Sequence, residues 1–127
     1  MTFNKVKIVT MIPFDNVESV RNAICDAGAG IIGNYTYCTT STKCIGTFIP
    51  NESAIPYIGK NDKLESVDEV RLEVTCDIKK VKQVVNKLKV THPYEEPNID
   101  IYPLLDLDFF NWNIYSKNVW ILLYNIN

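Results

Sequence analysis

The stretch VRLEVTCDIKKVKQVVNKL, residues 70–88, joins a strand pattern directly to a helix pattern, and this junction decides the fold. In its first half, apolar residues occupy every second position, which is the spacing of a strand with one buried face. These residues are Val70, Leu72, Val74 and Cys76. In the second half the spacing becomes three or four residues, which predicts a helix whose apolar face holds Ile78, Val81, Val85 and Leu88. Asp77 stands between the two patterns and is predicted to cap the helix.

The N-terminal part of the chain carries the same succession of patterns. Apolar residues alternate from Val6 to Ile12 in a predicted strand that Pro13 ends. Asp15 is predicted to cap the following helix, with Glu18 completing a capping box. The apolar face of that helix is predicted from Val17, Val20, Ile24 and Ala27. A shift of 61 residues (78 minus 17) lays this face onto the face of the second helix, so the chain contains two similar halves.

Two strand–helix–strand units on one chain predict an α+β fold, the ferredoxin-like βαββαβ sandwich. Its antiparallel sheet of four strands carries both helices on one face. We interpret residues 34–49 as an extra β-hairpin with a turn at Ser41–Lys43, and residues 50–64 as a loop. Pro93 is predicted to end the second helix and Pro103 the last strand. Because the helices leave one sheet face open, oligomerisation is the expected cover for it.

Composition and length limit the classes of protein that fit. The chain has 127 residues, enough for one domain, and its 13 basic and 15 acidic side chains give a net charge of −2. This balance offers no general attraction to nucleic acid or anionic membranes, so neither is expected as a partner. The four cysteines form no CxxC pair, the N-terminus lacks the shape of a signal peptide, and no apolar run approaches membrane-spanning length. A cytoplasmic location is therefore expected.

The C-terminal segment differs from the rest of the chain. Residues 106–127 interleave aromatic residues with asparagines, and both are poor helix formers. We predict that this segment is a hairpin or extended, with a turn at Ser116–Asn118, and that it packs on the same globule or on a neighbouring subunit. Residues 1–105 are then the folded domain and residues 106–127 its extension.

A glycine-rich run follows the first helix. Residues 28–33 read GAGIIG and match the pattern of the dinucleotide-binding fingerprint. In that fingerprint the glycines follow a strand and open a helix, whereas here they follow a helix and precede a strand. We interpret Gly28 and Gly30 as the helix C-cap and a tight turn.

The segment HPYEEP, residues 92–97, holds the only histidine of the chain between two prolines. Adjacent side chains of an extended segment point to opposite sides, so Glu95 and Glu96 are not expected to share one reacting bond. One glutamate with His92 would make a proton-transfer pair or part of a metal site. The alternative is a rigid connection between helix and strand. Cys38 and Cys44, on the arms of the predicted hairpin, add thiolates suited to Zn²⁺ or Cu⁺, so His92, Glu95 and Cys38 are the metal-ligand candidates.

Several of these stretches together resemble a known family. They are residues 28–30, 32–35, 38, 46–48, 50, 59, 69–71, 92–97 and 100–104. Over residues 5–105 the chain resembles the inserted PII/CutA-like domain of Nif-three-like (YqfO) proteins, in a stand-alone form. The HPYEEP run is also similar to that of CutA, the divalent-cation-tolerance proteins. This resemblance implies a PII/CutA-like fold that assembles as trimers and has a regulatory or ligand-binding role.

Full-length Nif-three-like proteins also carry a dinuclear-metal domain with several histidines and a GTP cyclohydrolase label. Because this chain has one histidine, we do not expect that activity, or any catalysis of its own. The expected function is a homo-trimeric regulatory module that binds a small ligand or metal ion in clefts between subunits. The expected ligand-binding residues are Gly33, Asn34, Tyr35 and Cys38 on one wall and His92, Tyr94, Glu95 and Glu96 on the other. Glycine amides would hold an anionic group, and His92 with a glutamate would hold a cation or amine.

No cofactor is assigned with certainty, and a divalent metal ion is the candidate. Two other functions stay open from the sequence. One is a structural or protein-interaction subunit without a small-molecule site, and the other is a metal-dependent enzyme.

Overall fold

The computed structural model describes residues 3–110. Its strands and helices follow in the order β1 (Lys5–Pro13), α1 (Val17–Asp26), β2 (Thr39–Phe48), β3 (Glu65–Asp77), α2 (Val81–Thr91) and β4 (Ile99–Leu104). The four strands form one sheet in the order β2-β3-β1-β4, and every neighbouring pair is antiparallel. This is the ferredoxin-like α+β fold that the two sequence halves predict.

The core lies between the helices and one face of the sheet. Alternate residues of β1 and β3 supply the sheet side, among them Ile8 and Leu72, both almost fully buried. The helices contribute Val20, Ile24, Val84 and Leu88. Truncating such a side chain to alanine costs about 2–5 kcal/mol, so this layer dominates the stability of the domain.

The two halves repeat with a shift of 64 residues, and the predicted shift of 61 is wrong. Helix α1 begins at Val17 and α2 at Val81 (81 minus 17), so Val20 corresponds to the buried Val84. Ile78, predicted on the buried face of the second helix, lies in a short 3₁₀ turn and is 46% exposed. Residues three or four positions apart lie on the same face of a helix. Apolar spacing alone therefore does not distinguish two alignments of the halves that differ by one helical turn.

The two helix entries are capped differently. Asp77 accepts a hydrogen bond from the Lys79 amide at 2.8 Å and so caps the 3₁₀ turn Ile78–Lys80 that leads into α2, whereas the N-cap residue of α2 itself is Lys80, which makes no side-chain cap. The capping box predicted at Asp15 is wrong, because no side chain caps either the 3₁₀ turn Phe14–Asn16 or α1. The position equivalent to Asp77 is Pro13, whose side chain has no acceptor, and Asp15 lies inside the turn.

Helix α1 ends in a Schellman motif, and its glycine pattern has no dinucleotide-binding geometry. The Gly28 amide donates to the Cys25 carbonyl and the Ala29 amide to the Ile24 carbonyl, at 3.0 and 3.1 Å. Gly28 has a φ of +114°, which explains why a glycine stands there. The predicted C-cap at Gly28 is confirmed.

The extra hairpin predicted in residues 34–49 is wrong. Thr39–Phe48 is a single strand, paired with β3 from Thr39 opposite Val74 to Phe48 opposite Glu65. The polar residues at 41–43 lie in the middle of this strand and form no turn. Because β2 is at the edge of the sheet, polar side chains are tolerated there, and they were misread as a turn signal.

The sheet face opposite the helices is partly closed by the chain's own side chains. Val9 lies on this face and is only 1% exposed. Its cross-strand partners are Glu73 and Asp100, and Glu73 forms an ion pair with Arg71 at 2.8 Å. The centre of this face, at Val9, is therefore buried within one chain.

Beyond β4 the described chain ends in the short 3₁₀ turn Leu107–Phe110. The Asn4 side chain donates to Asp106 at 3.1 Å, which ties this segment to the start of β1. The predicted turn at Ser116–Asn118, and the rest of the predicted hairpin beyond residue 110, lie outside the described residues. In the part of the chain that the structure describes, no helix is long and apolar enough to cross a membrane.

Candidate ligand-binding site

His92 is a buried structural residue that joins α2 to β1. Its backbone is extended, with φ −64° and ψ 135°, as Pro93 favours for the residue before it. The ring Nε2 lies 2.7 Å from the Met11 carbonyl, and Nδ1 accepts a hydrogen bond from the Tyr94 amide at 3.1 Å. A carbonyl can only accept, so Nε2 carries the proton and the ring is neutral. Burial lowers the pKa of His92, outweighing the opposing effects of the Met11 bond and of Glu69.

Both His92 nitrogens are thus engaged by protein groups. The side chain is 5% exposed and does not line the large cavity described below. This arrangement matches the alternative read from the sequence, in which the segment is a rigid connection between helix and strand. A proton-transfer or metal-ligand role for His92 does not fit it.

Tyr94 connects this segment to a buried carboxylate on β3. Its hydroxyl donates to Oε2 of Glu69 at 2.7 Å, and Glu69 is only 7% exposed. Burial and this hydrogen bond raise the pKa of Tyr94 far above its ordinary value. The phenol therefore remains a donor to Glu69 at any physiological pH.

Gly46 makes room for that carboxylate on the surface of the sheet. Glu69 is paired with Cys44 on β2, and Gly46 lies two residues further along the same strand. A methyl group built at Gly46 would overlap Oε1 of Glu69. Any larger residue at position 46 would displace the carboxylate.

The loop between β2 and β3 closes over this region. The Asp62 amide donates to the Pro50 carbonyl at 2.6 Å and joins the two ends of the loop. At its centre the Ile55 amide donates to Oε2 of Glu95 at 2.8 Å. Glu95 therefore tethers the loop to the segment that follows α2.

These three elements enclose a cavity of about 460 Å³, which we call the Glu69 cavity. It is lined by Met11, Cys44, Ile45, Gly46, Thr47, Phe48, Ile49, Pro50, Ala54, Pro56, Tyr57, Ile58, Glu69, Tyr94, Glu95, Glu96 and Asn98. The ring centre of Tyr94 lies 6.3 Å from those of both Phe48 and Tyr57. The cavity is mainly apolar and aromatic, with three carboxylates and no lysine, arginine or histidine among these lining residues.

The predicted glycine wall lies elsewhere. The Gly30 amide donates to the Thr75 carbonyl, and the Cys38 amide donates to the Gly30 carbonyl, so residues 28–38 are fastened near the end of β3. Gly33 lines a separate cavity of about 210 Å³ with Lys5 and Lys80, among others. Asn34, Tyr35 and Cys38 line neither cavity.

A single chain therefore does not bring the two predicted walls together. The predicted two-walled site needs the ends of α1 and α2 to lie at the same end of the sandwich. Strands β1 and β3 are antiparallel neighbours, so the symmetry that relates the halves exchanges the two ends of the sheet. The end of α1 and the end of α2 consequently lie at opposite ends.

The predicted metal ligands are also apart. Within residues 3–110 no group of three or more histidine, cysteine, aspartate or glutamate side chains could hold a metal ion. His92 is hydrogen-bonded to the Met11 carbonyl, and Glu95 accepts a hydrogen bond from the Ile55 amide. Cys38 Sγ lies 3.8 Å from the Thr36 carbonyl.

Three of the predicted site residues, Tyr94, Glu95 and Glu96, do line the Glu69 cavity. Sequence reasoning missed Glu69 and Tyr57. Glu69 directly precedes the buried Val70, so strand alternation puts it on the opposite face from the core. That alternation, together with the resemblance of residues 46–48 and 69–71 to the family, was the signal that would have identified it.

Comparison with solved structures first defines the class of protein. The divalent cation tolerance protein CutA from Archaeoglobus fulgidus superposes with a TM-score of 0.60 at 18% identity, covering 85% of this chain and 93% of that one. The CutA1 protein of Shewanella sp. SIB1 gives 0.63 at 15% identity, covering 88% and 94%. The chain is thus a CutA-like domain of the ferredoxin-like class. No family model matches the chain.

More similar relatives define the family. A Bacillus cereus protein related to NIF3 superposes with a TM-score of 0.72 at 39% identity, covering 84% of this chain and 27% of that one. The GTP cyclohydrolase 1 type 2 homologs of Halalkalibacterium halodurans and Bacillus subtilis are 45% and 44% identical over 98 residues, which is 77% of this chain. This chain is a Nif-three-like (YqfO) domain with the CutA fold. It spans about a quarter (26%) of these two curated relatives.

These relatives correct the expectation that the chain is not an enzyme. Proteins 32–45% identical to it carry the name GTP cyclohydrolase 1 type 2 homolog, which relates it to an enzyme family. The count of one histidine in this chain is no guide to the rest of those proteins, because the match covers only 26–30% of their length. Fold and relatives together support a small regulatory or ligand-binding module.

Proposed function

We propose that this domain is a regulatory module that binds a small ligand in the Glu69 cavity. The observation that carries this proposal is the carboxylate of Glu69. It is 7% exposed, it lines the cavity, and only one of its oxygens has a hydrogen-bond donor among the described residues. Burying a carboxylate costs free energy unless partners compensate, and here the oxygen without a donor is left open to solvent or to a ligand.

The dimensions and walls of the cavity support the same proposal. Its volume of about 460 Å³ falls in the range of about 300–1,000 Å³ that is typical of small-molecule sites. Such sites combine apolar walls with a few polar groups that orient the ligand. Here Glu69, Tyr94 and Asn98 would have that role.

The loop over the cavity supports a regulatory role. Glu95 tethers it through Ile55, while Ile55 and Tyr57 also expose apolar surface to solvent. A ligand that contacts Tyr57 and Glu95 would stabilise one position of this loop. The surface presented to a neighbouring domain or subunit would then depend on occupancy.

Amide chemical shifts of the labelled protein test the site. A fragment set containing cationic, neutral and anionic compounds is titrated, and shifts are expected at the Gly46, Ile55 and Tyr94 amides. The amides of residues 31–35, at the other end of the sandwich, are the internal control. If no fragment of any charge shifts the cavity amides, or if only residues 31–35 respond, the proposal is wrong.

We further propose that the domain assembles as a homo-oligomer, with a trimer as the expected state, through the free edge of β2. Among residues 3–110, strand β2 pairs with β3 alone, and Ile45 in β2 is 70% exposed. Unpaired strand edges with exposed apolar residues favour pairing with another chain.

Light scattering tests this assembly. The expected mass is three times the 14.5 kDa of the chain. Ile45→Lys is expected to reduce the mass, whereas Val90→Lys, at an exposed position of α2, is the matched control and is expected to leave it unchanged. A monomeric wild-type protein contradicts the proposal.

Two other expectations remain as proposals. None of the four cysteines is in a disulfide, and burial raises the pKa of the Cys25 and Cys76 thiols, which supports a cytoplasmic location.

Strand β4 ends at Leu104, which supports a domain boundary near residue 105. Limited proteolysis is expected to remove residues 106–127 first, and early cleavage within the sheet would contradict this boundary.

A further inference from the structure

We infer that the ligand of the Glu69 cavity is an organic cation, an amine or a quaternary ammonium compound. This inference rests on the proposed function and names the chemical class of its ligand. It is carried by the charges around the cavity, by the free oxygen of Glu69 and by the aromatic walls.

The charge of the lining selects against anions. Glu69, Glu95 and Glu96 contribute carboxylates, and no basic side chain stands among the lining residues that the structure describes. Glu96 is exposed, so its charge attracts cations from solution towards the cavity. An anionic ligand would meet three carboxylates and no compensating cation.

The two oxygens of Glu69 differ in their partners. Oε2 accepts the Tyr94 hydroxyl, whereas Oε1 lies against Gly46 and has no donor among residues 3–110. No fully buried side-chain oxygen or nitrogen among the described residues lacks a hydrogen-bond partner, so Oε1 is open to solvent. A bound cation beside Gly46 would take the place of that solvent and pair with the oxygen.

The walls favour an organic cation over a metal ion. A metal ion needs several ligating groups, and the described residues contain no such cluster. The ring centres of Phe48 and Tyr57 each lie instead 6.3 Å from that of Tyr94, with the ring planes tilted by 56° and 53°. Aromatic walls of this kind attract ammonium groups through the negative faces of the rings.

The test compares charged probes with uncharged compounds of the same shape. Choline is paired with 3,3-dimethylbutan-1-ol, and butylammonium with butan-1-ol. Binding is followed by amide shifts at Gly46, Ile55 and Tyr94, up to the ~10 mM range expected for so few ligand atoms. We expect at least one cation to bind about tenfold or more tightly than its uncharged partner.

Glu69→Gln tests the residue that carries the argument. Glutamine still accepts the Tyr94 hydroxyl, so the fold is expected to persist while the cavity loses its buried charge. We expect cation binding to weaken about tenfold or more. Glu18→Gln, which removes an exposed charge on α1, is the matched control and is expected to bind as the wild type does.

The outcomes separate this inference from the proposed function. If the uncharged partners bind as tightly as the cations, or Glu69→Gln binds cations unchanged, the cation inference is wrong while ligand binding in the cavity stands. If anionic fragments alone shift the cavity amides, the inference is again overturned. If no compound shifts them, the proposed function fails as well.

Discussion

The carboxylate of Glu69 occupies the space that a side chain at Gly46 would need. The two residues lie on neighbouring strands, and a methyl group at position 46 would overlap Oε1 of Glu69. Glycine inside a strand is ordinarily unfavourable, because it gains nothing from packing and loses more conformational entropy than other residues. Here the absence of a side chain at Gly46 leaves room for the Glu69 carboxylate on the sheet beside the cavity.

Gly46→Ala is expected to destabilise the domain by about 1–3 kcal/mol, because the added methyl group forces the carboxylate aside. In a Glu69→Ala background the same change is expected to be neutral or slightly stabilising, since alanine restricts the unfolded chain. Urea denaturation of the four proteins measures the difference. Thr42→Ala, at an exposed position of the same strand, is the control. An equal loss in both backgrounds would show that the overlap is not the cause.

His92→Ala is expected to lower the free energy of unfolding by about 1–3 kcal/mol. The substitution leaves the Met11 carbonyl and the Tyr94 amide without their ring partners. Lys89→Ala, on the exposed side of α2, is expected to change stability by less than about 0.5 kcal/mol. A loss no larger than that of the control would mean that solvent replaces both hydrogen bonds.

The protonation of His92 is expected to make stability depend on pH. Its folded pKa is lowered from the ordinary 6.5 by burial, so the unfolded chain binds the proton more readily. The stabilising contribution is complete above pH 6.5 and is lost as the pH falls through the folded pKa. Urea denaturation between about pH 7.5 and pH 5.5 is expected to show a steeper decline for wild type than for His92→Ala. Parallel curves would contradict this.

Tyr94→Phe is expected to cost about 1–3 kcal/mol, because Glu69 loses the donor at 2.7 Å. Tyr35→Phe, at an exposed position, is the control and is expected to be neutral. Because the pKa of Tyr94 is raised, Tyr94→Phe is also expected to leave the absorbance change near pH ~10–11, where exposed tyrosines ionise, unaltered. If it removes one tyrosine's worth of that change, Tyr94 is not held by Glu69 in solution.

Glu95→Ala is expected to loosen the loop over the cavity. The hydrogen exchange of the Ile55 amide should accelerate about three- to tenfold when its acceptor is removed. Glu95→Gln keeps an acceptor oxygen and is expected to have a smaller effect. Glu96→Ala removes a neighbouring charge without touching the tether, so faster exchange in that variant would point to charge and not to the hydrogen bond.

The order of strands and helices followed from short-range spacing. The change of period between Cys76 and Ile78 predicts a strand running into a helix, and in the structure β3 ends at Asp77 and a 3₁₀ turn, Ile78–Lys80, precedes α2 at Val81. The same spacing does not align the two halves uniquely. An alignment shifted by one helical turn still places Ile24 and Leu88 on the apolar helix faces. The edge strand β2 was misread because its exposed polar residues imitate a turn.

The candidate site was predictable only along one segment. Tyr94, Glu95 and Glu96 follow the helix-ending Pro93, and all three line the cavity. His92 is the only histidine of the chain, yet it is buried and serves as a structural hydrogen-bonding residue. Glu69 was overlooked because a single acid between strand residues looks like an ordinary solvent-facing position.

Residue spacing thus defined the elements, their order and the apolar layer between helices and sheet, because those features depend on neighbours within a few positions. The meeting of Gly46, Glu69 and Tyr94 depended on strand register and on the path of a long loop. So did the separation of the glycine turn from the His92 segment. Such contacts join residues far apart in the chain, and antiparallel pairing, not periodicity, assigns them to one end of the sheet.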